Sequence, residues 1–114
     1  MTHNMTLFDH PFKMIKSGQK TIELRLNDEK RSQIKVGDEI IFSLKDDPSQ
    51  TIHVQVIALH HYPTFEALYS GLPLLQCGYD SETIKDASPH DMDRYYTPEK
   101  QRHYGVLGIE IRRQ

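Results

Sequence analysis

The sequence predicts an α+β fold, a small and mostly antiparallel β-barrel with flanking helices, and three observations carry that expectation. Residues 39–45, 51–62 and 106–112 alternate apolar and polar side chains with the two-residue period of a strand. Three short segments, 9–18, 64–71 and 97–105, begin with residues suited to a helix start and close on glycine. The chain has 114 residues, enough for one core but not two, so strands and helices share a single domain over 1–114.

Residues 1–6 are short and polar, and a first strand is expected only over Met5–Phe8. A helix follows at once. Asp9 or His10 can cap it, Pro11 suits its first turn, Phe12 and Ile15 share a face, and Gly18 supplies a left-handed stop. Lys13 and Lys16 lie toward its C-terminal end, where the helix dipole favours cations. Ile22, Leu24 and Leu26 then anchor one face of a strand while Thr21, Glu23 and Arg25 line the other.

Residues 28–33 read as a charged turn, and Gly37-Asp38 leads into a strand with Ile40, Phe42 and Leu44 on one face. Asp46 to Gln50 is expected to be a hairpin loop. The next strand, Thr51 to Tyr62, sets Ile52, Val54, Val56 and Ala58 on one face, while Ile57 and Leu59 make its second half apolar on both sides. Such a strand suits a closed or strongly curved sheet.

Thr64 caps a short helix carrying Phe65, Leu68 and Tyr69. From 72 to 93 the pattern weakens, with a helix expected near Ser81–Asp86 and a capping box at Ser88-Pro89-His90-Asp91. Thr97-Pro98-Glu99 opens a last helix, and Leu107, Ile109 and Ile111 alternate in a closing strand.

Net charge is −2 with histidines neutral, so a nucleic-acid contact would rest on a local cluster of cations, not on global charge. The single cysteine, Cys77, cannot close an internal disulfide, which fits a reducing, cytoplasmic setting. No stretch approaches the length of a membrane span, and neither a membrane partner nor a cofactor is expected.

Chemistry concentrates in the run Ser17 to Asp28, where Lys20, Thr21, Glu23 and Arg25 fall within six residues. One reading is the solvated face of an edge strand, with Glu23 and Arg25 in a weak surface pair. The other is a polar cleft in which Lys20 and Arg25 hold an anionic or carbonyl-bearing ligand and Glu23 accepts a donor. Lys20 has the parity of Ile22, so it joins Glu23 only if the glycine turn twists it out of register. A second cluster holds Arg94, Tyr95, Tyr96, Lys100, Arg102, His103 and Tyr104. Cations interleaved with rings suit phosphate pairing and base stacking, although the tyrosines equally suit packing of a helix on the sheet. The seven histidines include no zinc-like spacing, and no metal site is expected. Cys77 has no nucleophile signature around it and reads as a buried or semi-buried thiol.

The run Gly18-Gln19-Lys20-Thr21-Ile22-Glu23-Leu24-Arg25, followed by Val36-Gly37-Asp38-Glu39-Ile40-Ile41-Phe42 and the closing Tyr104-Gly105-Val106-Leu107-Gly108-Ile109-Glu110-Ile111, resembles the ASCH domain family of the PUA-like superfamily. The resemblance covers nearly the whole chain. It implies a PUA-like barrel with a cleft beside the Gly-x-Lys-Thr strand, and RNA, a nucleoside or a nucleotide as partner. It also implies that Lys20 carries the family lysine. One bacterial branch comprises small amidohydrolases acting on N4-acetylcytidine, and some members are described as ribonucleases. Where the hydrolase branch has a threonine this chain has Glu23, with Thr21 the nearby hydroxyl, and the branch's further catalytic glutamate belongs to the helical region.

The expected function is therefore RNA or nucleoside binding bordered by Lys20, Thr21, Glu23 and Arg25, with Arg94, Tyr95 and Tyr96 as further ligand contacts. The alternative is an amidohydrolase in which Glu23 activates water and Lys20 stabilises the oxyanion. A third reading is a regulatory interaction module without chemistry of its own.

Overall fold

A computed structural model describes residues 1–114. Its strands are β1 (Thr2–Leu7), β2 (Ile22–Leu26), β3 (Glu39–Leu44), β4 (Asp47–Tyr62) and β5 (Val106–Arg113), and its α-helices are α1 (Asp9–Ser17), α2 (Phe65–Gly71) and α3 (Pro98–Tyr104). One sheet, in the order β1-β3-β4-β5-β2, curls into a half-barrel. β1 runs parallel to β3 and every other pairing is antiparallel. The edge strands β1 and β2 meet through a side chain: Arg25 Nη2 on β2 donates to the Thr6 carbonyl on β1 at 3.2 Å.

The strand faces follow the alternation, with two adjustments. In β4 the register shifts between Val56 and Ala58, so Ile57 is the extra residue of a bulge. Val56 stays in the core, Ile57 is exposed, and Leu59 returns to the core side opposite Ile109. The apolar residues on both sides of this strand are thus the two faces of one bulge. The turn before β4 is Lys45-Asp46, shorter than the expected loop over Asp46–Gln50, and β4 already begins at Asp47.

Two further expectations are corrected. The first strand begins at Thr2, because His3, Met5 and Leu7 alternate inward while Thr2, Asn4 and Thr6 face outward; the polar half of the pattern hid the strand. Neither Asp9 nor His10 caps α1: Phe8 occupies the N-cap without a side-chain bond, and Asp9 instead pairs with Lys13 at 2.9 Å. Gly18 does end the helix in the left-handed region at φ +87°. The segment from 72 to 96 is wound into short 3-10 helices at Leu74–Gln76, Thr83–Asp86 and Pro89–Arg94, the last opened by the Ser88–Asp91 capping box.

Burial divides into two clusters. The first fills the half-barrel with Phe12 and Ile15 of α1, Ile40 and Phe42 of β3, Val54 and Val56 of β4, and Leu107 and Ile109 of β5. The second lies behind β2, where Ile22, Leu24 and Leu26 meet Phe65 and Leu68 of α2. Gly108 permits this second layer: a Cβ there would stand 2.8 Å from Leu72 Cδ1 and 3.3 Å from Ile22 Cγ2.

Candidate ligand cleft

The two-layer arrangement decides where the charged face of β2 goes. Its apolar residues are taken by the layer behind the sheet, so Glu23 and Arg25 turn to the concave side. Glu23 pairs in register with Ile109 and Arg25 with Leu107, both members of the half-barrel core. Residues directly opposite in an antiparallel pair share a face. The polar side of this strand therefore points into the mouth of the barrel, which the alternation alone could not distinguish from solvent.

Lys20 joins them. After α1 its N–H donates to the Met14 carbonyl at 3.0 Å, and this tight return carries the lysine to the side of Glu23. Lys20 Nζ lies 2.6 Å from Glu23 Oε1, and Arg25 Nε lies 2.8 Å from Glu23 Oε2. Glu23 is 4 % exposed and Lys20 9 %. Both carboxylate oxygens are occupied. Burial pushes the Glu23 carboxyl up, but Lys20 and Arg25 outweigh it and hold its pKa below the usual glutamate value. For Arg25 burial works against the charge, and the Glu23 carboxylate outweighs it and raises the pKa. Two cations against one carboxylate leave the group one net positive charge.

These residues form the floor of a cavity of about 490 Å³, whose apolar lining includes Leu7, Phe8, Met14 and Met92. Gly78, at φ +115°, lays its backbone along the Lys20 stem, and a Cβ there would meet Lys20 Cδ at 3.6 Å. Beside it Cys77 is buried, and burial pushes its thiol up to about 11 although the Lys20 charge pulls the other way. That makes Cys77 a packed thiol rather than a reactive one.

Thr21 is turned away from this cavity. Its N–H donates to the Gln76 carbonyl at 2.9 Å and its hydroxyl to Gln76 Oε1 at 3.1 Å, so the turn that brings Lys20 in points the threonine toward the 72–78 segment. Arg94, Tyr95 and Tyr96 all line the cavity. Their roles differ. Tyr96 packs into the second cluster and stacks on Phe65 at 6.2 Å, and burial raises its pKa. Tyr95 stands at the rim, 53 % exposed, with the Arg94 guanidinium 5.9 Å from its ring centre. Tyr104 is packing, whereas Lys100, Arg102 and His103 lie on the wet side of α3.

Among the lining residues that sequence reasoning missed are Tyr69, Tyr79 and Asp91, which form a chain of hydrogen bonds. Tyr79 donates to Asp91 Oδ2 at 2.6 Å, and the Tyr69 hydroxyl lies 2.7 Å from that of Tyr79. Burial first, then the Asp91 and Tyr69 hydrogen bonds, raise the Tyr79 pKa. The capping box flagged Asp91 as structural, and no sequence signal joined it to the tyrosines.

The ASCH domain family matches residues 5–113. The chain belongs to that family. Among solved structures, this ASCH domain is 32 % identical to the hypothetical protein PH0355 over 100 % of both chains, with a TM-score of 0.82. It is 33 % identical to the protein PF0455 from Pyrococcus furiosus over 99 % of this chain and 97 % of that one, with a TM-score of 0.73. ASCH from Zymomonas mobilis shares the fold at 15 % identity and a TM-score of 0.66, over 97 % of this chain and 66 % of that one. No curated protein matches. In this ASCH domain no helix is long and apolar enough to cross a membrane.

Proposed function

We propose that this ASCH domain binds RNA or a nucleoside, seating a base in the cleft over Lys20, Glu23 and Arg25. One observation carries the reading: a floor of net positive charge, rich in hydrogen-bond donors, lies under a cavity of about 490 Å³ lined in part by tyrosines. The Lys20 ammonium spends one of its three hydrogens on Glu23, while Arg25 spends its Nε–H on Glu23 and one Nη2–H on the Thr6 carbonyl and keeps the others, near the Tyr96 hydroxyl. Donors in a site of restricted water access suit a carbonyl or phosphate oxygen. Arg94 and Tyr95 at the rim suit a neighbouring phosphate and a stacked base. A cytoplasmic setting, in which Cys77 stays reduced, is part of the same proposal.

Titration of nucleosides and of a short single-stranded RNA at two salt concentrations tests it. Binding of the RNA should weaken steeply with salt, and Arg94→Ala should flatten that slope while leaving nucleoside binding nearly unchanged. Failure of both ligands to bind overturns the reading.

A second reading, the N4-acetylcytidine type of amidohydrolase, is favoured by Asp91, an acid from the 72–100 segment that shares the cavity with Lys20. Lys20 and Arg25 would hold the developing oxyanion. Glu23, with both oxygens ion-paired, is better suited to clamp the cations than to take a proton from water. Acetate release from N4-acetylcytidine that Asp91→Asn abolishes would establish hydrolysis; no release by the wild-type protein would remove it.

A further inference from the structure

The polar groups of the cleft differ in hydrogen-bonding sense, and the difference follows from counting protons. A phenol carries one proton, and an ionised carboxylate only accepts. Tyr79 gives its proton to Asp91 Oδ2 at 2.6 Å. The contact of 2.7 Å between the Tyr69 and Tyr79 hydroxyls must then be supplied by the Tyr69 proton. The chain is polarised in one direction, from Tyr69 to Tyr79 to Asp91. Asp91 Oδ2 also accepts the Ser88 N–H at 3.2 Å, so two hydrogen bonds hold this oxygen. No proton of this chain remains to offer a ligand. What remains is acceptors: Asp91 Oδ1 and the lone pairs of Tyr69. The floor formed by Lys20 and Arg25 has the opposite sense, with donors only.

We infer that Asp91 is the specificity-determining residue of the cleft, selecting nucleobases that carry an exocyclic amine. This rests on the nucleoside-binding reading and narrows it. The amine donates to Asp91 Oδ1 while a carbonyl or phosphate oxygen of the same ligand takes a donor from Lys20 or Arg25. Tyr79 and Ser88 act through Asp91 as positioning groups. A ligand lacking the amine leaves the carboxylate without its partner, and one with a carbonyl in that place sets oxygen against oxygen.

The test uses two matched pairs of probes, cytidine with pyrimidin-2-one riboside and adenosine with purine riboside, in which the second member lacks only the amine. At least one amine-bearing member should bind the wild-type protein about tenfold or more tightly than its partner, as expected for a hydrogen bond to a charged group. Asp91→Asn, whose amide can turn an N–H toward the ligand, should abolish the preference. Asp91 also closes a capping box, so Tyr79→Phe provides a second variant that leaves the box intact. It removes one of the two hydrogen bonds that hold Oδ2, leaving the carboxylate less firmly oriented, and should lower the ratio without removing binding. Equal binding within both pairs, or a ratio that survives in both variants, overturns the inference and leaves nucleoside binding standing. Absence of binding by all four probes instead overturns nucleoside binding, and the inference falls with it.

Discussion

The donor and acceptor sides of the cleft are built by different means. Lys20, Glu23 and Arg25 come from one short run, and the register of β2 against β5 fixes the last two opposite Ile109 and Leu107. Tyr69, Tyr79 and Asp91 come from α2, a loop and a 3-10 turn, and are joined by hydroxyl contacts of 2.7 and 2.6 Å. The first set is a buried charge cluster held by a backbone ladder. The second is partly exposed and held by side chains. Substitutions in the charge cluster should therefore fall mainly on stability, and substitutions in the hydroxyl chain mainly on which ligand is preferred.

The largest effect is expected at Glu23. Glu23→Gln keeps the shape but leaves Lys20 and Arg25 facing each other, 9 % and 13 % exposed, without their common counter-ion. Breaking a buried ion pair in this way costs about 3–5 kcal/mol. Urea unfolding should show the loss, and adding Lys20→Met, which removes one of the two cations, should recover part of it. A loss below about 1 kcal/mol, the range of an exposed pair, would show that the cluster is not coupled.

Acid gives a second measure. The folded protein holds the Glu23 pKa below its ordinary value, so protonation favours the unfolded chain. The stabilisation is complete above the unfolded-state pKa of roughly 4.3 and is lost as pH falls through the lower folded value. Unfolding midpoints measured from pH 7 to 3 should decline at the acid end, and the Glu23→Gln profile should decline less. What decline remains includes Asp38, which the His3 hydrogen bond, followed by the Lys35 N–H, holds at about 2.

The same contrast explains what the sequence disclosed. The period of Ile40, Phe42 and Leu44 in β3 was legible because three buried apolar residues alternate with Glu39, Ile41 and Ser43, of which only Ile41 is apolar. So were α2 and α3, whose Thr64 and Thr97 accept from Ala67 N and Lys100 N at 3.1 and 3.2 Å. The alternation of β2 was legible too, but the burial of its polar face was not. That depends on the second layer of Phe65 and Leu68, some 40 residues away, claiming the apolar face. Tyr79 and Asp91 were invisible as a pair because isolated 3-10 turns impose no repeating pattern that would place one beside the other.

Cys77 sits at the seam between the two sets and reports whether the 77–79 segment stays closed over Lys20. A shift from 9.0 to about 11 leaves about a hundredfold less thiolate at a given pH. Alkylation by iodoacetamide at pH 8 should be slower than in the urea-unfolded chain by at least that factor, since burial also blocks access. Labelling of the folded protein at the unfolded rate would mean that the segment opens freely.

The smallest stability effect is expected from Tyr79→Phe. It removes one hydroxyl and leaves the Tyr69 proton and Asp91 Oδ2 without their shared partner, but both groups are only partly buried and water can replace it. Asp91 also keeps the Ser88 N–H. The cost should be about 1 kcal/mol or less in urea unfolding, near the net value of an ordinary hydrogen bond. A loss as large as that of Glu23→Gln would mean that the hydroxyl chain holds the 72–96 segment in place. The tyrosines would then be structural in the same sense as the buried carboxylate, and a change in ligand preference on their removal would report a displaced wall instead of a lost acceptor.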